Sequence, residues 1–423
     1  MTEIMLAHAP SHWSRKRLGQ LFRERREKVS DKDFPALSVT KLGILPQLET
    51  AAKTDDGDNR KGVRAGDFVI NSRSDRKGSG GLSDRDGSVS LINIVLRPHD
   101  IEPSFAHHLL RSPAFQEEFY RWGHGIVADL WTTRYNEMKN ILLAVPDHDT
   151  QKAIADFLDR ETDRIDHLIE RKQQLSKLLD ERVACLADKI AGQLEEYSVV
   201  PLRRVLLKIE QGWSPDCEAR QVEDREWGVL KVGCVNGWSF KSSEHKTLPQ
   251  TLAPRPDLEI RNGDVLMSRA NTRELVGSVA VVKDAPRRLM LCDKLYRLHF
   301  NKQKIMAQYA VIALRSNNAR RHYEERSNGA SASMQNIGQE TVKTLRISLP
   351  DVPRQLEIAN EFNEAAERAA AAKAVVQKSV GRLTEFRASL ITAAVTGQID
   401  VTTWGKRGHT DRRLDQIEEA MRA

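Results

Sequence analysis

The chain has 423 residues, of which 40% are hydrophobic and 30% are charged, and this length predicts about two to four domains with buried cores. A formal net charge of +7 and a pI near 9.1 suit a nucleic-acid partner, although many other proteins are equally basic. There is no run of about eighteen apolar residues, so the sequence predicts no membrane span. The four scattered cysteines lack C-x-x-C spacing, which disfavours a structural zinc and a disulfide framework and favours a reducing cytoplasm.

The first half alternates predicted strands with polar loops. A turn at 64–67 leads into a strand, and a basic Gly/Ser loop at 71–81 follows. The remaining elements expected in this half are strands at 36–42, 89–96 and 141–145 and one helix at 104–122.

A long helical pattern then runs from Gln151 to about Gly192. At 1.5 Å per residue, roughly 42 residues form a rod of about 63 Å, which suits a spacer better than one compact domain.

The second half repeats this order. Its expected elements are a loop at 211–215, strands at 229–232, 265–267 and 345–349, a polar loop at 268–273, a helix at 305–326 and a second long helix. The two halves are related by a constant offset of 204 residues (350 − 146), which pairs Pro146/Pro350, Gln151/Gln355, Ser112/Ser316, Gly125/Gly329 and Leu179/Leu383. One offset near half the chain length indicates a tandem duplication.

Apolar residues recur every seven positions along both long helices. This spacing is typical of helices wound around each other, because the apolar seam then keeps facing its partner. Polar Glu161, Lys172 and Arg182 interrupt the seam of the first helix, and two ordinary helices packed on globular domains are the alternative. The residues expected to pack in the paired helices are Leu158, Ile165, Leu168, Leu175, Leu179, Leu186, Phe362, Ala369, Val376, Leu383, Phe386 and Leu390.

Several catalytic motifs are missing from the sequence. No two prolines are adjacent, which excludes the Asn/Asp-Pro-Pro-aromatic motif of amino-methyltransferases, and there is no Gly-Lys-Ser/Thr P-loop or H-E-x-x-H motif. Asp147 and Glu170-Arg171-Lys172 superficially match a metal-dependent nuclease. The intervening helix would separate those two carboxylates by roughly 30 Å, which is too far for a shared metal.

The motifs that remain are the Pro-Asp-x-x-x-Gln-x-x-Ile junctions at 146–154 and 350–358, the helix ends at 179–182 and 383–391, and the closing segment 394–399. Together with the Gly-Asp turns at 66–67 and 263–264, they resemble the specificity subunit of type I restriction–modification systems, over nearly the whole chain to about Asp400.

The resemblance implies an α+β protein with two tandem mixed α/β target-recognition domains, separated by two long helices packed as an antiparallel coiled coil. We expect recognition domains at 1–148 and 199–352, spacer helices at 149–198 and 353–397, and a C-terminal tail at 398–423.

The resemblance also implies a function. Each recognition domain would read one half of a bipartite site in double-stranded DNA, and the helices would set the gap between the halves. The subunit would be non-catalytic and would hold no cofactor. It would bind two modification subunits, which methylate adenine with S-adenosylmethionine, and restriction subunits, with ATP and Mg also used in the partner subunits.

Base edges are read by Arg, Lys, Asn or Gln, and phosphates are held by basic and hydroxyl groups. The residues expected to bind DNA in the first half are Lys61, Arg73, Arg76, Lys77, Arg85, Thr132, Thr133, Arg134 and Tyr135. Those in the second half are Trp213, Arg269, Asn271, Arg273, Ser331, Ser333, Gln335 and Asn336. For each single Arg or Lys, the alternative is a solvated surface charge.

Two other functions are open to this sequence. A coiled-coil scaffold or adaptor without DNA contact would explain the helices but not the two equivalent halves with divergent polar loops. A stand-alone repressor ranks last, because no helix-turn-helix is evident.

Overall fold

A computed structural model describes residues 5–6, 9–47, 57–125, 131–192, 197–331, 334–406 and 408–419, and for 191–192, 330–331 and 406 the backbone alone. Within these ranges the protein is a mixed α+β structure with two long helices, as the sequence predicts. The chain divides into two compact units: unit 1 (Met1–Gln173 with Val375–Ala423) and unit 2 (Gln174–Ala374). Each unit therefore contains part of both long helices. The domain limits given above remain predictions.

Unit 1 begins with sheets. Its elements up to the first long helix are β1 (Ser14–Arg17), α1 (Leu18–Leu21), β2 (Phe22–Glu24), β3 (Lys28–Val29), β4 (Leu37–Thr40), β5 (Gly43–Pro46), β6 (Arg60–Val63), β7 (Phe68–Asn71), β8 (Gly80–Leu82), β9 (Gly87–Val89), β10 (Asn93–Pro98), α2 (Pro103–Arg111), α3 (Pro113–Arg121), α4 (Tyr135–Met138) and β11 (Leu142–Val145). Four strands form a sheet in the order β2-β10-β7-β8, and β1 pairs antiparallel with β11. The smaller sheets are β3-β6-β9 and β4-β5.

Helix α5 (His148–Gly192) then passes from unit 1 into unit 2. The elements that follow are β12 (Val199–Pro201), β13 (Leu206–Gln211), β14 (Gly228–Leu230), β15 (His245–Thr247), β16 (Val265–Ser268), β17 (Ala270–Asn271), β18 (Val279–Val281), β19 (Leu289–Met290), β20 (Leu295–Phe300), α6 (Ala307–Arg315), α7 (Asn317–Arg326), β21 (Asn328–Ser331), β22 (Met334–Asn336), α8 (Gln339–Thr344) and β23 (Arg346–Ser348). Helix α9 (Val352–Val395) returns to unit 1, where α10 (Val401–Lys406) and α11 (His409–Glu419) follow.

The main sheet of unit 2 has the same plan as that of unit 1. Its order is β13-β20-β16-β18, and β12 pairs antiparallel with β23 just as β1 pairs with β11. The additional sheets of unit 2 are β15-β14-β19 and β17-β22-β21. The shared topology agrees with the duplication that the sequence offset indicates.

The central strands are apolar at consecutive positions because both faces of each sheet are covered. In β10, Ile94 and Leu96 join the core that contains the helices, whereas Val95 points into a separate small core under β4 and β9. Strand β16 repeats this division, with Leu266 on the opposite face from Val265 and Met267.

The single helices predicted at 104–122 and 305–326 are wrong, because each is a pair of helices. Ser112 ends α2, and its Oγ accepts a hydrogen bond from the backbone N–H of Phe115 at 3.2 Å, which caps α3. Ser316 caps α7 in the same way through Ala319 N–H at 3.3 Å. A serine at the N-cap satisfies a helix-end donor, so the chain turns there instead of continuing the helix.

Gln151 locks the start of α5 to the helix pair that precedes it. The side chain is 2% exposed. Its Oε1 accepts from the backbone N–H of Glu102 at 2.8 Å, and its Nε2 donates to the carbonyl of Pro146 at 2.9 Å. The buried amide therefore joins the residue before α2, the end of β11 and the first turn of α5.

Gln355 makes the equivalent hydrogen bonds at the start of α9. Its side chain is 0% exposed, its Oε1 accepts from Met306 N–H at 2.8 Å, and its Nε2 donates to Pro350 O at 2.8 Å. Glu102 and Met306 differ by the same 204 residues as Pro146 and Pro350 (306 − 102). The offset that relates the two halves of the sequence thus also relates the hydrogen bonds of Gln151 to those of Gln355.

Helices α5 and α9, of 45 and 44 residues, pack against each other as an antiparallel pair. In unit 1, Arg387 donates twice to the carboxylate of Asp166, at 2.8 and 2.9 Å. In unit 2, Lys373 donates to both oxygens of Asp180, at 2.7 and 2.6 Å. No helix in the described part of the chain carries a stretch long and apolar enough to cross a membrane.

Most residues expected in the helix seam are buried or half-buried, but the prediction for Leu175 is wrong. That side chain is 46% exposed, and its neighbour Leu178 is 51% exposed. A straight α-helix turns about 20° per heptad away from a strict seven-residue repeat, so a seam position drifts towards solvent along a long helix. The fully buried members are Leu158, Ile165, Phe362, Val376, Leu383 and Leu390, and the half-buried ones are Leu168, Leu179, Leu186, Ala369 and Phe386.

Helices α10 and α11, which lie within the predicted C-terminal tail, are part of unit 1. Leu414 and Ile417 of α11 are 5% and 4% exposed and join the same core as Leu158. Lys172, which interrupts the predicted seam, lies with its Nζ 2.7 Å from Glu418 Oε1 on α11. The interruption therefore marks where α11 packs.

Gln151→Ala and Gln355→Ala should each lower the free energy of unfolding, by about 1–3 kcal/mol, because a buried backbone N–H loses its acceptor. Chemical denaturation of the purified chain measures this change. Exposed Gln173 on α5 is the control, and Gln173→Ala should change the free energy by less than about 0.5 kcal/mol. Equal effects of all three substitutions would contradict the role of the buried amides.

Ile165→Ala should destabilise the protein by about 2–5 kcal/mol, since Ile165 is 0% exposed and the substitution leaves a cavity. Leu175→Ala should cost less than about 0.5 kcal/mol, because Leu175 is exposed. Thermal or urea unfolding measures the free energy of unfolding of both variants and so tests whether the seam position at Leu175 is exposed. A similar loss at Leu175 would mean that it is buried in the isolated protein.

Candidate nucleic-acid interface

A Gly-Asp turn precedes a central strand of the main sheet in each unit. Gly66 and Gly263 adopt positive φ angles of 89° and 92°, which glycine takes without strain. The aspartate that follows each glycine accepts a hydrogen bond from a backbone N–H three residues earlier at 2.9 Å. The same carboxylate binds an arginine of a neighbouring strand or loop, through the ion pairs Arg25–Asp67 at 2.6 Å and Arg297–Asp264 at 3.1 Å. These bonds fix the direction in which β7 and β16 enter the loops that follow them.

In unit 1 the loop after β7 meets the segment after α3. Arg73 and His124 each form a backbone bridge with Thr132. The N–H of Ser74 also donates to the carbonyl of Trp131 at 3.0 Å. Two loops that are far apart in the sequence, and that were both predicted to bind DNA, are therefore held side by side.

The same loops meet in unit 2. Strand β17 pairs with β22, matching Ala270 with Asn336 and Asn271 with Gln335. The pairing of Asn328 with Asn336 repeats that of His124 with Thr132 at the same offset of 204 residues. The framework of the loop pair is thus shared, while the side chains on it differ.

Four of the residues predicted in unit 1 line one cleft of about 350 Å³. Lys61 donates to the carbonyl of Asn93 at 2.7 Å, and burial lowers the pKa of its ammonium group. The Tyr135 hydroxyl donates to the carbonyl of Phe22 at 3.0 Å, and burial raises the pKa of this phenol. The full lining is Glu24, Arg26, Lys61, Ser72, Leu91, Ile92, Ile94, Thr132, Arg134, Tyr135 and Asn136. A cleft lined by polar, charged and aliphatic side chains can accommodate part of a base.

The remaining cations predicted in unit 1 lie at the surface. Arg73 is exposed, and three others form exposed ion pairs, namely Arg76–Asp75, Lys77–Glu117 and Arg85–Asp84. Exposed pairs of this kind contribute little to stability. Such cations can therefore exchange a carboxylate for a phosphate at low cost.

In unit 2, the loop of Trp213 and the side chain of Arg269 meet at Asp293. The Ser214 hydroxyl donates to the Asp293 carboxylate, and Arg269 Nη1 donates to the Asp293 carbonyl at 3.2 Å. Arg273 is exposed, and Gln335 and Asn336 are half-buried. Ser333 lies outside the described residues, as does the side chain of Ser331.

The prediction that Thr133 and Asn271 bind DNA is wrong, because both side chains are occupied inside the protein. Thr133 is 0% exposed, and its hydroxyl donates to the carbonyl of Phe119 at 2.8 Å. Asn271 is 8% exposed, and its amide donates to the Asn236 side chain at 2.9 Å. Both residues hold the loop pairs in place.

Glu24, Arg26 and Asn136 lie in the cleft with Lys61 but are not among the residues predicted from the sequence. Arg26 belongs to the basic cluster Arg23-Glu24-Arg25-Arg26, so the concentration of positive charge in this segment could have identified it as a candidate. Nothing in the sequence shows that β2, which ends within this cluster at Glu24, lies next to β10. The pairing across the sheet brings these residues to the cleft.

No protein-family model matches the chain. Over 161 residues it is 31% identical to the specificity subunit of the type I restriction enzyme EcoEI of Escherichia coli, covering 38% of this chain and 27% of that protein. Over 321 residues it is 23% identical to the specificity subunit of the type I restriction enzyme StySPI of Salmonella potsdam, covering 72% of this chain and 67% of that protein. The chain thus matches about a quarter of the first relative's length and two thirds of the second's.

The fold is also found among solved structures. A chain from a study of complex assembly and conformational transition of the type I R-M system matches with a TM-score of 0.58 at 19% identity, covering 92% of this chain and 99% of that one. This likeness supports the fold over nearly the whole length. By sequence, the chain is similar over part of its length to specificity subunits of type I restriction enzymes.

Proposed function

We propose that this chain is the non-catalytic DNA-recognition subunit of a type I restriction–modification complex, and that each unit reads one half of a bipartite site. The observation that carries the proposal is the duplicated loop pair. Thr132 in unit 1 and Asn336 in unit 2 hold equivalent bridges, yet the residues around them differ. Two domains that recognise different half-sites require a common scaffold that carries loops of different sequence.

Several groups are proposed to contact DNA. They are Lys61, Arg73, Arg76, Lys77, Arg85, Thr132, Arg134 and Tyr135 in unit 1, and Trp213, Arg269, Arg273, Gln335 and Asn336 in unit 2. Exposed guanidinium groups suit phosphates, whereas the amides Gln335 and Asn336 suit adenine, which offers one acceptor and one donor in the major groove.

The proposal extends to partners. Two modification subunits would dock on the helices α5 and α9, and these helices would set the unread gap between the half-sites. S-adenosylmethionine, ATP and Mg would be used in the modification and restriction subunits, and the complex would act in the cytoplasm. The continuous helices of 45 and 44 residues support the spacing role.

A genome-wide map of adenine methylation tests the proposal, in cells that carry the cognate modification subunit with or without this chain. We expect a split motif, with two short half-sites and a fixed gap, that is methylated only when the chain is present. A methyltransferase complex that assembles with this chain but methylates no such motif would contradict the proposal. A scaffold without DNA contact would give that result.

Arg134→Ala in the assembled complex should weaken binding to specific and non-specific duplexes by a similar factor. It should also reduce the salt dependence of binding by about 0.9 in the slope of log K against log [salt], as expected for the loss of one phosphate contact. Fluorescence anisotropy over a range of salt concentrations measures both quantities.

Exposed Arg413 on α11 provides the matched control. Arg413→Ala should leave the affinity and the salt slope unchanged. If the two variants behave alike, Arg134 contributes only to the net charge and does not contact a phosphate.

A further inference from the structure

One carboxylate lies in the cationic cleft of unit 1. Glu24 ends β2, and its side chain is 10% exposed. Arg26 Nε donates to its Oε2 at 2.6 Å, and Lys61 Nζ lies 3.7 Å from its Oε1. Exposed Arg134 lines the same cleft. A carboxylate is thus fixed among the cations that face the proposed DNA-binding side.

Such a carboxylate is unfavourable in a surface that only holds phosphates, because like charges repel each other. Arg26 and Lys61 offset its charge and fix its orientation. The contact of Lys61 with Oε1 is longer than an ordinary hydrogen bond, so this oxygen keeps room to accept another donor. An ionised carboxylate can only accept hydrogen bonds, and its ligand must therefore present an N–H or O–H group.

The other residues that line the cleft indicate which donor fits. Leu91, Ile92 and Ile94 line it together with the polar and charged groups, and Leu91 is 42% exposed. A mixture of aliphatic and polar groups suits a base, which has apolar faces and polar edges, better than a sugar-phosphate chain, which prefers polar and cationic contacts. In the major groove, the donors on base edges are the amino groups at cytosine N4 and adenine N6.

We propose that Glu24 is a specificity-determining residue, whose Oε1 accepts a hydrogen bond from the exocyclic amino group of one cytosine or adenine in the half-site read by unit 1. This inference rests on the proposed function. The other role open to Glu24 is to position Arg26 and Lys61 for phosphate contacts, without reading any base.

The two roles differ in what they do to sequence preference. The assembled complex with wild-type chain, Glu24→Ala or Glu24→Gln is used to select duplexes from a library randomised over both half-sites. If Glu24 reads a base, Glu24→Ala relaxes the preference at one base pair of one half-site by about tenfold or more, the size of a base-edge contact. The other half-site stays unchanged and shows that the variant is folded. An equal loss of affinity at every position, or no change at all, would overturn the inference.

Base analogues identify the amino group. Wild-type complex is bound to duplexes in which that position carries a cytosine analogue without the N4 amino group, or an adenine analogue without the N6 amino group. One of these two analogues should weaken wild-type binding about tenfold and leave Glu24→Ala binding unchanged, because the hydrogen bond is already lost. Equal weakening of both proteins would show that another residue reads the amino group.

Failure of this inference is distinguishable from failure of the proposed function. A wild-type complex that selects no split motif contradicts the proposed function itself. A split motif that Glu24→Ala and Glu24→Gln leave unchanged contradicts only the role of Glu24.

Discussion

A buried glutamine amide at the start of each long helix is the interaction on which the architecture depends. The Oε1 and Nε2 atoms of Gln151 each bind a backbone group from a different element, and Gln355 repeats both bonds. A buried amide must satisfy its donors and acceptor, so this geometry allows little freedom. It couples the direction of a long helix to the helix pair that packs on the main sheet. Whatever the loops of a unit bind, their orientation relative to the helix is therefore set by hydrogen bonds that do not vary between the units.

The exposed side chains of the loops can diverge because the bridges that pair the loops do not depend on them. The bridges at Thr132 and Asn336 are made by backbone atoms, which any residue provides. Buried side chains, such as that of Thr133, fix the loops to the interior of the protein. The side chains at the surface and in the cleft are left to determine chemistry, and in unit 1 they include both cations and the carboxylate of Glu24. A mixed set of charges reads a sequence better than a uniformly basic one, which would bind every phosphate backbone alike.

The order of the main elements along the chain could be predicted from the sequence, because the repeat allows the elements of one half to be checked against those of the other. The bounds of α5 differ from the predicted helix by three residues at its start, and its end agrees. The break at Ser112 was missed because the apolar pattern continues through it, although Ser112-Pro113 carries a capping signal. The cleft with Glu24 could not be predicted, since it depends on which strands are neighbours. Charge and residue type in the sequence indicate candidate DNA-binding residues, but neither shows that Thr133 and Asn271 are buried.

The exposed and buried seam positions show how the two copies of one helix came to differ. Lys172 and Val376 occupy the same place in the repeat, and both belong to unit 1. Val376 is 6% exposed, whereas the ammonium group of Lys172 binds Glu418 on α11. Helix α11 lies beside both long helices: it lines a cleft with Phe386 of α9, and its Glu418 binds Lys172 of α5. The polar residue that breaks the heptad pattern is therefore explained by an interaction with a later part of the chain. A break in an apolar seam can thus indicate a further packing partner as readily as a weak helix pair.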